Sequence, residues 1–122
     1  MLGLLPARMT FSGVYRYPSA SDLEAAVAEV SELLDAEDDE ALASGFDQAL
    51  RRRGIELRIE LDCECPRDWY LAYETLVELL AARASSGLVD GSVDDTAHSY
   101  PAGARTVRLA TEPLVPSYGS TR

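Results

Sequence analysis

The chain has 122 residues and a mass of 13.3 kDa, with 21 Asp plus Glu against 11 basic residues, a net charge of −10 and 47% hydrophobic residues. That length suits one domain that buries about two-thirds of its unfolded surface without disulfide or metal staples. The charge opposes a phosphate backbone or an anionic membrane as partner, so nucleic acid is excluded from the expected partners.

Leu2, Leu4 and Leu5 make too short an apolar run for a secretory segment, and no stretch reaches the ~18 apolar residues of a membrane span, so a soluble cytoplasmic protein is expected. From Met9 to Tyr17, large residues at Met9, Phe11, Tyr15 and Tyr17 alternate with Thr10, Ser12 and Arg16, the pattern of a half-buried strand. Pro18 ends it. Ser21 with Glu24 three residues on reads as a capping box, and Leu23, Val27, Val30 and Leu34 give the helix that follows an apolar stripe to about Asp35. Residues 35–40 are a solvated acidic run. Leu42, Phe46, Ala49 and Leu50, with Arg51–Arg53 and Gly54 after them, predict a helix over 40–53; Gly45 keeps open a rival in which residues 46–51 are strand.

The clearest signal runs from Ile55 to Cys65, where Ile55, Leu57, Ile59, Leu61, Cys63 and Cys65 alternate with Glu56, Arg58, Glu60, Asp62 and Glu64. Pro66 suits the first turn of a helix over 67–85, striped by Trp69, Tyr73, Leu76, Leu80 and Ala84. Leu88–Val93 reads as a short strand, Asp94–Gly103 as a loop, Thr106–Ala110 as an edge strand and 112–122 as an extended or disordered tail. The expected fold is α+β, a single domain over 1–111: a two-layer sandwich with a small, mostly antiparallel sheet and helices on one face. The order is β-α-α-β-α-β-β, with a ferredoxin-like β-α-β-β-α-β plan as the alternative.

Residues that carry chemistry are sparse. Cys63 and Cys65 share a strand face at i and i+2, with Cα atoms near or past the disulfide limit of about 6.8 Å, and read as reduced core thiols; two further metal ligands are not evident. His98, the single histidine, stands near Asp94 and Asp95, which supports only a minority reading as a small enzyme. Otherwise it is a solvated surface group. Asp90, Ser92 and Asp94 fail the calcium-loop pattern, where Asp95 and Pro101 occupy the glycine and glutamate positions. There is no lysine and no phosphate-cradling glycine loop, so no cofactor and no enzymatic activity are expected.

Charge distribution says more than any motif. Residues 22–40 hold nine acids and no base, and residues 21–98 hold 20 acids and six arginines. Such a field steers a basic partner inward, although an acid-rich composition can also arise with no partner at all. The expectation is a small acidic binding protein that docks on a basic protein, of the inhibitor or immunity type that neutralises a toxin or other nucleic-acid-binding protein. Asp35, Glu37, Asp38, Asp39 and Glu40 would form one contact patch and Glu56, Glu60, Asp62 and Glu64 a second, with Trp69 and Tyr70 as anchors if they are not core. The alternative is a homodimer or larger homo-oligomer joined through the Val107–Leu109 edge or the open sheet face.

Overall fold

The two alternating segments become the central strands of a five-stranded antiparallel sheet in the computed structural model, which describes residues 6–103. The elements are β1 (Pro6–Arg16), α1 (Ala20–Asp35), α2 (Glu40–Gln48), β2 (Leu50–Arg53), β3 (Glu56–Pro66), α3 (Trp69–Ala82), β4 (Ser86–Val93) and β5 (Thr96–Pro101). β1 pairs with β3 without interruption from Pro6↔Pro66 to Arg16↔Glu56, and with β4 from Met9↔Val93 to Arg16↔Ser86. The strand order is β2-β3-β1-β4-β5. Its first four members, linked through α1 and α3, follow the ferredoxin-like arrangement; α2 and β5 are additions. The α+β class therefore holds, with the order β-α-α-β-β-α-β-β in place of the expected string.

Met9, Phe11, Tyr15, Leu57, Ile59 and Leu61 on one sheet face join Leu23, Val30, Phe46, Tyr73, Val77 and Leu80 from the helices in one core. The opposite face carries Arg8, Ser12, Arg16, Arg58, Glu60 and Asp62 and is exposed. This core is rich in tyrosine, and its hydroxyls are satisfied: Tyr17 donates to the Leu80 carbonyl (2.7 Å), Tyr73 to the Leu42 carbonyl (2.9 Å), and Tyr15 to the Tyr100 carbonyl. Tyr70 and Tyr100 share a 2.6 Å bond, and the Tyr100 hydroxyl reaches Glu74 at 2.7 Å. An unpaired buried hydroxyl would cost about 1–3 kcal/mol, so these bonds hold the helices to the sheet at fixed points.

Five expectations change. The helix predicted over 40–53 stops at Gln48, because Arg51–Arg53 pair with Glu56–Arg58 as β2. Gly54 (φ +62°) is not a helix cap but the first residue of the two-residue turn joining β2 to β3, where a left-handed conformation suits glycine. The loop expected over Asp94–Gly103 contains β5, hidden in the sequence because Tyr100 alone among its residues is buried. The first helix is capped by Ser19, whose Oγ accepts from the Asp22 amide at 3.2 Å, two residues upstream of the predicted box. Pro66 ends β3 rather than opening α3, which starts at Trp69 with Asp68 as its N-cap residue. The predicted strand at Thr106–Ala110 and the tail at 112–122 lie outside the described residues.

Candidate binding surface

The fold treats the two predicted acidic patches differently. Glu56, Glu60, Asp62 and Glu64 all project from β3 onto the open sheet face, where arginines reach three of them. Arg8, across on β1, donates to both Asp62 oxygens at 3.0 and 2.9 Å, Arg16 to Glu56 at 2.6 Å, and Arg58 to Glu60 at 3.4 Å. Hydrogen bonding to Asp62 and the charge of that carboxylate hold the Arg8 guanidinium above its usual range, and Glu64 adds a smaller push. These exposed pairs add little stability, but they cancel charge locally. The β3 row is therefore a set of intramolecular partners.

The other patch keeps its charge. Asp35 ends α1, Glu37, Asp38 and Asp39 form the connection, and Glu40 opens α2, all exposed. Among the described residues, none of the five joins an ion pair. Two have local structural duties: Asp39 Oδ1 accepts from the amides of Ala41 (3.1 Å) and Leu42 (3.2 Å), and Glu37 accepts from the Asp39 amide (3.1 Å). The α2 N-terminus favours nearby negative charge, which offsets part of the mutual repulsion.

Beside this corner runs a cleft of about 230 Å³, walled by Leu33 and Leu34 of α1, Leu42 of α2 and Ala72, Thr75 and Leu76 of α3, with Glu37 at its rim. Leu33 is 46% exposed, and Leu71, one turn before Thr75 on α3, is 67% exposed. Covering an exposed leucine is worth on the order of 1.5–3 kcal/mol at full burial. The sequence reading missed both residues. Leu71 is detectable, since it falls off the apolar stripe of its helix, whereas Leu33 sits next to the buried Leu34 and is not distinguished from the stripe by spacing alone.

The remaining candidates do not join this surface. Tyr70 is buried, stacked on Phe11 with ring centroids 5.1 Å apart, which removes it as an anchor. Trp69 is half-buried against Tyr73 and lines a different cleft, beside Ala41, Gly45 and Gln48. His98 lies on β5 rather than in a loop, exposed, with the rings of Tyr70 and Tyr100 at 6.0 and 6.5 Å. It makes no hydrogen bond to Asp94 or Asp95; Asp94 is engaged by Arg67 and Asp90 by Ser99. Among the described residues, no three potential metal ligands cluster, and no helix is long and apolar enough to cross a membrane. No protein-family model, curated protein or solved structure matches the chain.

Proposed function

We propose that this chain is a binding module whose α1–α2 corner receives a basic protein surface, an arginine- or lysine-bearing segment with an apolar side chain for the cleft between Leu33 and Leu76. In its most specific form the reading is an inhibitor of the immunity type, covering the phosphate-reading surface of a toxin or another nucleic-acid-binding protein. One observation carries it: of two acidic patches, the one without arginine partners borders an apolar cleft with an exposed leucine, Leu33, in its wall. Charge draws the partner in, and leucine burial holds it. Self-assembly through Val107–Leu109 concerns residues outside those described.

The test uses a synthetic amphipathic helix of Leu and Arg, followed by stopped-flow fluorescence at several salt concentrations. Asp35→Arg, Asp38→Arg and Glu40→Arg together spare the Asp39 cap and should slow association at least tenfold while flattening its salt dependence; Leu33→Ala should chiefly speed dissociation. Equal binding of a control peptide with Glu in place of Arg, or an unchanged association rate in the triple variant, would overturn the reading.

A further inference from the structure

β3 outruns its outer neighbour. β2 pairs only with Glu56–Ile59, and Ala49 adds one further bond, its carbonyl accepting from the Glu60 amide at 3.0 Å. From Leu61 onward β3 is paired on the β1 side alone, and its free edge faces α2 across a cleft of about 460 Å³. Ala41, Gly45 and Gln48 form the far wall, while Trp69 and Tyr73 line it from α3. A volume of this order admits a small organic molecule. Cys63, half-buried, and Cys65, buried, both line this cleft, and their Sγ atoms lie 2.7 Å apart.

The proximity of the two sulfurs suits thiol–disulfide exchange. A tetrahedral cation would need further ligands beside the two sulfurs, and no three potential ligands cluster among the described residues. Both cysteines are free thiols. We propose that Cys63 and Cys65 form a reactive dithiol that reduces small disulfides entering the cleft and closes to an intrachain disulfide.

The steps balance. The Cys63 thiolate, at the more accessible position, attacks one sulfur of the incoming disulfide; a Cys63 mixed disulfide forms, and one thiolate leaves. Cys65 then attacks Cys63 Sγ, the mixed disulfide breaks, and the second thiolate leaves. The two thiol protons end on the two released thiols, so the protein dithiol is oxidised as one external disulfide is reduced. Burial, together with the hydrogen bond to Cys63, pushes the Cys65 thiol up to about 12, which suits a residue that resolves rather than initiates. Glu64 also borders the cleft, and in a chain of net charge −10 it favours a cationic disulfide over an anionic one. None of these residues belongs to the docking corner, so the two proposals stand or fall apart.

The probes are cystamine, a dication, and oxidised glutathione, an anion, each added to the reduced full chain and followed by non-reducing mass spectrometry. The fluorescence of Trp69, the single tryptophan, reports ring closure beside it. Wild type should lose two hydrogens and carry no adduct, react at least severalfold faster with cystamine at low salt, and lose that preference at high salt. Cys65→Ser should accumulate the mixed disulfide on Cys63, and Cys63→Ser should react at least tenfold more slowly, with circular dichroism confirming that both fold. Wild type that stays reduced or retains adducts, Cys65→Ser that gains none, or a faster reaction with oxidised glutathione would overturn the proposal.

Discussion

Adding one methyl group at Gly91 tests the packing on which the sheet's second half depends. Gly91 sits on β4 opposite Phe11 of β1, facing the core. A Cβ there would lie 2.6 and 2.8 Å from two Phe11 ring carbons and 3.0 Å from the Tyr70 hydroxyl oxygen. Carbon atoms pack comfortably at about 3.5–4.0 Å, so the ring would have to retreat by about 1 Å. It has no room: Phe11 is fully buried, stacked on Tyr70 at 5.1 Å and edge-on to Tyr73 at 6.3 Å. Gly91→Ala should therefore cost about 1–3 kcal/mol as overpacking. With about 4–8 °C per kcal/mol for a domain of this size, Tm should fall by at least about 4 °C. Urea denaturation at unchanged slope would measure the loss. In a Phe11→Leu background the clash partner is gone, and the same substitution should cost at least about 1 kcal/mol less. An equal penalty in both backgrounds, or a Gly91→Ala protein within about 0.5 kcal/mol of wild type, the usual range for innocuous surface changes, would refute the argument.

Arg51 stands directly opposite Arg58 in the β2–β3 pairing, a like-charge cross-strand pair; Arg51→Glu should stabilise the fold by about 0.2–1 kcal/mol in urea titrations, and destabilisation would contradict the register. Asp39→Ala removes the α2 cap and should cost about 1 kcal/mol, whereas Asp39→Asn keeps the cap and should leave the urea midpoint nearly unchanged while slowing association of a basic peptide. Burial raises the pKa of Tyr15, Tyr17 and Tyr73, and burial with the hydroxyl network raises that of Tyr100, so the folded state holds these phenols neutral. Because the unfolded phenols ionise near pH 10, stability from these groups is complete below that pH and declines as pH climbs above it. Tyrosinate absorbance should consequently rise for these four only together with the loss of circular dichroism. Their ionisation in a still-folded chain near pH 10 would show that they are not buried as described.

How much of this was legible in the sequence depended on whether the deciding contacts were local. The alternation from Ile55 to Cys65 needs no tertiary knowledge, because a one-residue slip would turn Leu57, Ile59 and Leu61 out to water. The Arg51–Gly54 run was ambiguous for a physical reason: basic residues followed by glycine satisfy a helix C-terminus and a tight strand turn equally well, and pairing with Glu56–Arg58 decides between them. β5 gave no alternation since an edge strand buries only Tyr100. The fate of the carboxylates was the least accessible feature. Arg8 and Asp62 are 54 positions apart, and only the β1–β3 register brings them together. The cysteine spacing marks a shared strand face, but the approach of the two sulfurs depends on side-chain torsions that spacing does not encode.

The two layers divide the charge unequally, and that division favours the helical side over the open sheet face for the proposed docking of a basic partner. On the open sheet face, Arg8, Arg16 and Arg58 answer Asp62, Glu56 and Glu60, so a basic partner arriving there would first have to displace an arginine already in place. Each such exchange trades one solvated pair for another and gains little. At the α1–α2 corner no arginine needs displacing, and five neighbouring carboxylates repel one another in the free protein. A cation placed among them gains the new attraction and also relieves that repulsion. The adjoining apolar cleft, with Leu33 exposed in its wall, would supply what charge alone lacks, a contribution that salt does not screen and that would lengthen the lifetime of such a complex. A surface that pairs uncompensated charge with exposed apolar area is costly to maintain in a free chain, and both costs fall when the same partner covers both.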